Sequence, residues 1–562
     1  MLKRILNVES KFIISAALMI GFFSLLSRVL GILRNRIFTS EFGAGDITDI
    51  YFSAFVIPDL IYNIFIIGAI GIVFIPIFFE YSQKSKEEAM HLTNIVLNIL
   101  ILFVILIASL FAFFAQEILS IFLYGFSPEK IQTTVDMTRI MLLSPIFLGI
   151  SSILGNFIQA HKRFLSFALA PVLYNIGIIC GVLFFVPNIG LAGLAYGVIF
   201  GAFLHLLVQL PTALSLGFKY KLSFDIWHPG FRKMIILSIP RVVGLLAHQL
   251  NFMVIIFIGS SLSSGSISIF NFANDLQYIP IGIIAFSFVT AVFPFLSESY
   301  SKKDMKEFLN KFYSTVNQIL FLVIPISVFL ILERAQIVRV LYGAGEFSWD
   351  DTKLTAAALG LFAMSIFAQS LIPLFSRTFF AMANSKTPVF INVASLAINI
   401  GLSFFFVGLL KDGGAFRDIL GQILKVSDMS DIAVLGLPLA FSIASIINIL
   451  WLYFSLSHKI DEYSSVRILY SVNRINISVL AMGVSVYPTL YFMANIVNMH
   501  TFLGIFLQGI VAFFIGSFVY FGSAYLLKIP EFFVFSEAFT LPIKRMFLLK
   551  SYTSQVNGSE KL

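Results

Sequence analysis

The chain has 562 residues, of which 59% are hydrophobic and only 12% charged, with 65 Phe and a formal net charge of +8. Soluble proteins carry about 25% charged residues, and a soluble core of this length could not hide so much apolar surface, so lipid is the solvent for most of the chain. The positive residues are scattered between apolar runs, which excludes a nucleic-acid patch, and the single Cys180 excludes a disulfide framework.

A helix crosses the hydrocarbon core in about 20 residues. Fourteen apolar segments of that order are predicted, at 13–38, 47–79, 90–115, 139–160, 165–187, 190–216, 234–259, 265–297, 310–332, 353–382, 387–410, 432–456, 476–498 and 502–527. They read as helices because the runs are continuously apolar, whereas membrane strands alternate and need only about 10 residues. Segment 1 is followed by Arg34, Asn35 and Arg36 and not by a small-residue cleavage site, so it is expected to be a mature helix and not a signal peptide.

Charge then alternates between the loops. Lys3, Arg4 and Lys11, Lys84 with Lys86, Lys162 with Arg163, Lys219 to Lys233, Lys302 to Lys311, Lys386, Lys459 to Arg474 and the tail from Lys528 all fall on one side, which the positive-inside rule makes cytoplasmic. The opposite loops are uncharged or acid-rich, as in Glu117 to Arg139, Glu333 to Lys353 and Lys411 to Asp431. Both termini are therefore expected in the cytoplasm.

Four echoes suggest a duplication. Ser27 to Leu33 resembles Pro240 to Leu246; Pro76 and Glu80 resemble Pro294 and Glu298; Ile121 to Gly125 resembles Arg339 to Gly343; and Asn175-Ile176-Gly177 recurs at Asn399-Ile400-Gly401. The offset covers six segments, so the copies enter the membrane in the same sense, as in transporters built from parallel repeats. The expected fold is an all-α integral membrane protein of about 14 transmembrane helices: two parallel six-helix lobes around a central cavity, plus two C-terminal helices. The corresponding regions are an N-terminal lobe 1–216, a cytoplasmic linker 217–233, a C-terminal lobe 234–456, two additional helices within 457–527 and a cytoplasmic tail 528–562.

Charges inside segments are costly, about 2.5 to 3.5 kcal/mol for a central Arg on insertion scales. Arg34 and Arg36 near the end of segment 1 and Arg377 near the end of segment 10 can snorkel to an interface. Arg28 and Arg241 hold the same position in each repeat and point to a cavity lining. Asp59 and Asp275 lie at similar depth in the two halves, with Asp49 nearer the outer edge; they can neutralise arginines as buried pairs or relay a proton or cation. The planar guanidinium fork suits phosphate oxygens, so a cavity with Arg28, Arg34 and Arg241 favours an anionic, phosphorylated cargo. Pro58 with Gly68, Pro280 with Gly282, Pro145 and Pro373 mark the helices expected to bend. His205 and His248 read as polar packing residues. The sequence contains neither G-x-x-x-x-G-K-[ST] nor H-E-x-x-H, and no soluble domain that would hold an active site. A non-enzymatic protein without cofactor or metal is expected, drawing on the membrane potential, an ion gradient or a partner.

The string Ser27-Arg28-Val29-Leu30-Gly31 with Arg34, then Phe42 to Gly45, Asp49 and Ile57-Pro58, closely resembles the amino-terminal signature of the MurJ (MviN) family, lipid II flippases of the multidrug/oligosaccharidyl-lipid/polysaccharide superfamily. Ala170-Pro171 to Asn175, Gln209 to Pro211, Ser264 to Leu276, Leu341 to Gly343, Arg377 to Ala381 with Lys386 to Pro388, and Gly436 to Asn448 extend the resemblance over segments 1 to 12. It implies a V-shaped pair of lobes, a central cationic cavity and a groove from segments 13 and 14 that admits a lipid tail. The implied location is the bacterial inner membrane, and the implied cargo is the undecaprenyl-pyrophosphate-linked peptidoglycan precursor, with cell-wall synthesis enzymes as further partners. Arg28, Arg34 and Asp49 fall on cavity positions of the family, whereas Tyr62, Ile67, Asn35, Asn274 and Asp275 stand where the family carries other charges. The rival readings are a polysaccharide-lipid flippase, a cation-coupled drug exporter, or a non-transporting scaffold of wall synthesis.

Overall fold

The computed structural model describes the backbone of residues 13–68, 73–460 and 463–537, with the side chains of 13–18, 240, 241, 243, 244, 247, 248 and 465 left aside. Among the described residues the regular structure is entirely helical. Each expected segment overlaps a helical run: α1 (Ile13–Phe42), α2 (Asp46–Gly68), α3 (Lys86–Phe113), α4 (Pro128–Ala160), α5 (Leu165–Ile189), α6 (Ala192–Ser215), α7 (Pro229–Ser260), α8 (Ser266–Ser301), α9 (Met305–Leu332), α10 (Trp349–Ala363 and Ile366–Ala381), α11 (Lys386–Lys411), α12 (Ala433–Ser457), α13 (Ser465–Ile496) and α14 (Phe502–Leu526). Of the second segment, 47–79, residues 69–72 lie outside the described residues and 74–79 fall in the helix Phe74–Ser82. Eleven of these are long and apolar enough to cross a membrane, or 12 if the bent pair of α10 is one span; α1 and α7 are outside that set, so the count of fourteen is not established.

Local chemistry fixes the ends. Ser85, Ser127, Asp304 and Thr501 cap α3, α4, α9 and α14 by accepting from the backbone N–H of Glu88, Lys130, Glu307 and Gly504. The cap at Ser127 with Pro128 behind it starts α4 well before residue 139, where hydropathy alone put it. The stretch after α6 is laid along α3 by two asparagines: Asn94 Nδ2 donates to the Lys219 carbonyl (3.0 Å) and Asn98 Nδ2 to that of Lys221 (2.8 Å).

Lipid gives apolar helices no hydrophobic reason to associate, so close packing and hydrogen bonds must hold them. The contact of α5 with α6 shows this at backbone level. A Cβ on Gly177 would stand 2.2 Å from the Gly201 Cα, and one on Gly181 2.6 Å from the Gly197 Cα, so any larger residue would force the helices apart.

Three helices carry a π-helical turn: Tyr62–Gly68 four residues after Pro58, Gly181–Phe185 in α5, and Ile281–Ala285 directly after Pro280. Proline cannot supply an N–H to the preceding turn, and a wider turn is one way to accommodate the loss. The bend expected in segment 10 is a 43° break between Ala363 and Ile366, upstream of Pro373.

Packing divides the chain into two compact units. The first runs to Phe272 and includes Leu341–Thr355 and Ile400–Leu437; the second comprises Ala273–Val340, Ala356–Asn399 and the chain from Pro438 onward. The core of the first contains Phe74, Phe78, Leu92, Val96, Leu154 and Phe157, and that of the second Phe308, Phe312, Phe321, Phe362, Phe375 and Phe379. In the second unit α13 and α14 pack on each other and α13 on α9. Their remaining faces present large apolar side chains such as Phe518, which is 80% exposed, as suits acyl chains.

Candidate functional site

In the first unit, Ser27, Gly31 and Arg34 fall on one face of α1 by their spacing of four and three residues, and that face meets Asn175 of α5. Asn175 Oδ1 accepts from Arg34 Nη1 at 3.1 Å, while its Nδ2 donates to Ser27 Oγ at 3.2 Å and to the Pro171 carbonyl at 3.1 Å. Gly31 faces the same side chain: a Cβ there would lie 3.9 Å from Asn175 Oδ1, an ordinary contact distance. On its other side the guanidinium is bound by Asn35 Oδ1, at 3.1 Å from Nε and 2.9 Å from Nη2. Two amide oxygens therefore orient Arg34 without neutralising it.

Asp59, one residue beyond Pro58 in the middle of α2, is exposed. Asp59 lies within electrostatic reach of the hydroxyls of Tyr51, Tyr62 and Tyr174, and Arg34 within reach of those of Tyr51 and Tyr174, so these five groups lie near one another. Among the described residues Arg28, Arg34 and Asp59 form no ion pair. Beside Arg34 the asparagines take the place of a carboxylate, and the side chain of Arg241, the other arginine Asp59 is expected to neutralise, lies outside the described residues. Arg28, half-buried on a different face of α1, makes no hydrogen bond among the described residues.

Asp49 lies at the start of α2 and is 1% exposed. Its Oδ2 accepts from the Gly265 N–H (2.8 Å), and its Oδ1 from the Ser268 N–H (2.9 Å) and hydroxyl (2.6 Å), so it closes the N-terminus of α8. Lys130 Nζ stands 3.8 Å from Asp49 and 2.6 Å from Asp46, and Ser264 Oγ also donates to Asp46. Gly265 can offer its N–H because φ is +87° there, and a Cβ would be 2.2 Å from the Ala44 carbonyl oxygen.

Two further residues expected at the site belong to the second unit. Asp275 is exposed on α8, and Arg377 is half-buried on α10, with Nη1 3.4 Å from the Val289 carbonyl and its guanidinium 5.5 Å from the Phe293 ring centre. Arg241 lies in α7, but its side chain is outside the described residues, as is that of His248. His205 Nδ1 lies 2.7 Å from Ser151 Oγ, which also accepts from Gln209, a packing network rather than a ligand set. Among the described residues no three His, Cys, Asp or Glu side chains converge as a metal site would need.

Sequence reasoning did not single out Asn35 and Asn175 as holders of Arg34, nor Lys130 and Ser268 as partners of Asp49. Asn175 did carry a signal, the Asn-Ile-Gly echo. Lys130 carried none, because a lysine in a loop beside acids is unremarkable.

The fold is that of a many-helix membrane protein, and its first unit holds Arg34 oriented by two amide oxygens and without an ion pair among the described residues. The family model described as Lipid II flippase MurJ matches residues 38–510, and the chain belongs to that family. The probable lipid II flippase MurJ of Rickettsia prowazekii is 25% identical over 525 residues, which is 92% of this chain and 98% of that protein. The one from Thermotoga maritima is 30% identical over 379 residues, or 67% of this chain and 76% of its own length. The solved structure described as lipid II flippase MurJ in an inward closed conformation aligns with TM-score 0.70 and 26% identity, over 90% of this chain and all of that one. A multidrug resistance MATE family transporter in an inward-facing conformation aligns with TM-score 0.58 at 15% identity, over 78% of this chain and 96% of that one, a likeness of fold alone.

Proposed function

We propose that the protein moves lipid II, the undecaprenyl-pyrophosphate-linked peptidoglycan precursor, from the inner to the outer leaflet of the bacterial cytoplasmic membrane by alternating access. The observation that carries this reading is Arg34: two amide oxygens hold its guanidinium, no carboxylate among the described residues pairs with it, and a diphosphate offers the bidentate acceptor that its fork fits. Arg28 supplies a second uncommitted positive charge on the same helix. Membership of the lipid II flippase family supports the cargo.

In this reading the duplicated lobes 1–216 and 234–456 rock about the headgroup, Arg241 supplies the repeat's counterpart of Arg28, and α13 with α14 take the lipid tail. Both termini face the cytoplasm. An inside-negative potential assists outward movement of an anion by about 2.3 kcal/mol per charge per 100 mV, so the membrane potential can drive the step with no cofactor. Asp49 acts here as a positioning residue, since its oxygens are engaged by Gly265 and Ser268.

The test is flipping of lipid II in vesicles and complementation of a flippase-depleted bacterium. Arg28→Ala and Arg34→Ala are expected to abolish transport at normal protein abundance, with Lys replacements keeping part of it. Normal flipping by both Ala variants would refute the cationic-site reading.

A further inference from the structure

Glu333 follows the last residue of α9 and precedes a short helix, Arg334–Tyr342. It is 5% exposed, and its Oε1 has no hydrogen-bond partner among the described residues. Its Oε2 lies 3.5 Å from where a Cβ on Gly509 of α14 would stand, so the carboxyl is pressed against that helix where a side chain is missing. The neighbouring polar groups are already engaged with one another. Gln336 Nε2 donates to Gln508 Oε1 at 3.1 Å, and Gln508 Nε2 donates to the Leu490 carbonyl of α13 at 2.7 Å.

Among the described residues no cation is paired with this acid. Arg334 turns its guanidinium to the Ile331 carbonyl at 2.8 Å, with its stem over Gly360 of α10, and forms no ion pair with Glu333. Arg339 is the other charged residue of the short helix, and α9 carries no charge between Lys311 and Glu333. From Ala356 onward α10 offers only Arg377. Between Arg474 and Lys528, α13, α14 and their connection contain no Asp, Glu, Lys or Arg, and their titratable side chains near this end, Tyr487, Tyr491 and His500, are exposed. A carboxylate sealed from water without a cation or donor is better accommodated as the neutral acid.

We propose that Glu333 is a proton-binding site whose occupancy controls how firmly α13 and α14 are fastened to the end of α9. The proton comes from bulk water at that end and returns to it: the carboxylate takes it to become the neutral acid, and on release the buried charge draws water into the seam and loosens it. Burial lifts the carboxyl from the ordinary carboxylate range to about 8, within reach of ordinary pH changes. The inference does not depend on the cargo.

The test uses the full chain in detergent without lipid II. Thermal unfolding and hydrogen exchange of α13 and α14 are followed from pH 5 to 9 for the wild type and E333Q. A group with a raised folded-state pKa contributes stability below its unfolded pKa, and that contribution is lost as pH rises through the folded value. Relative to E333Q, the wild-type folded-to-unfolded ratio should therefore fall by up to tenfold per pH unit until about pH 8, with exchange in α13 and α14 rising over the same range. G509S supplies a hydroxyl donor beside Oε2 and should move the wild-type midpoint to lower pH, which gives a second reading should E333Q fold poorly. Parallel pH curves for the wild type and E333Q, or an unmoved midpoint in G509S, would overturn the proposal, as would protection by sodium at constant pH that E333Q abolishes. Because no cargo is present, failure here is distinct from a failure of flipping.

Discussion

Asp49 and Glu333 are two carboxylates withdrawn from water, and the protein treats them in opposite ways. Asp49 receives three donors from the N-terminal turn of α8 and has Lys130 3.8 Å away, whereas Glu333 has an oxygen with no partner at all among the described residues. Burial alone therefore does not tell what an acid does. Three donors turn a buried charge into a structural clamp; an absence of donors leaves protonation as the main way to relieve the cost.

The largest expected effect tests the clamp. Asp49→Ala strands the Gly265 and Ser268 donors and should cost about 4 kcal/mol, visible as a large fall in Tm, with Asp49→Asn recovering part of it. At neutral pH Glu333→Gln should cost little or even stabilise, so a harmless Asp49→Ala or a crippling Glu333→Gln would dissolve the contrast. Next comes Gly265→Ala, which forces a Cβ into a backbone at φ +87° and 2.2 Å from the Ala44 oxygen. It should cost about 2 to 3 kcal/mol and show faster hydrogen exchange at the start of α8, since the donor to Asp49 moves with it. The smallest effect belongs to an exposed counterpart, Asp428, whose carboxyl is held below the usual range by the hydrogen bond from Lys353 at 2.5 Å. That contribution exists above the unfolded carboxylate pKa and disappears as pH falls through the lowered one. Asp428→Asn should change Tm barely at pH 7 and still less in acid or in high salt.

Much of the architecture was legible because lipid imposes a length on every helix that crosses it. All fourteen predicted segments overlap helical runs, and of the prolines that repeat between the halves Pro58 and Pro280 each precede a π-helical turn while Pro76 and Pro294 lie inside α-helix. The start of α4 was missed because residues 128–138 are too polar to register as a span, although Ser127-Pro128 is a recognisable cap. The arginines stood out because charge in a span is expensive. Their holders did not, since Asn35 and Asn175 become meaningful only when α1 and α5 are placed side by side. Glu333 was not singled out for the converse reason: an acid in a connection is ordinary until α14 closes over it.

The π-helical turns in α2 and α8 have a mechanical consequence. Each holds more residues than an α-helical turn would, so residues can be handed along the helix without breaking its continuity. Handing on one residue rotates everything beyond it by about 100° and advances it by about 1.5 Å. With a third such turn at Gly181–Phe185 in α5, each is a place where a helix can re-aim the side chains on one side of it, such as Asp59 in α2 or Asp275 in α8, while the other side stays where it is packed.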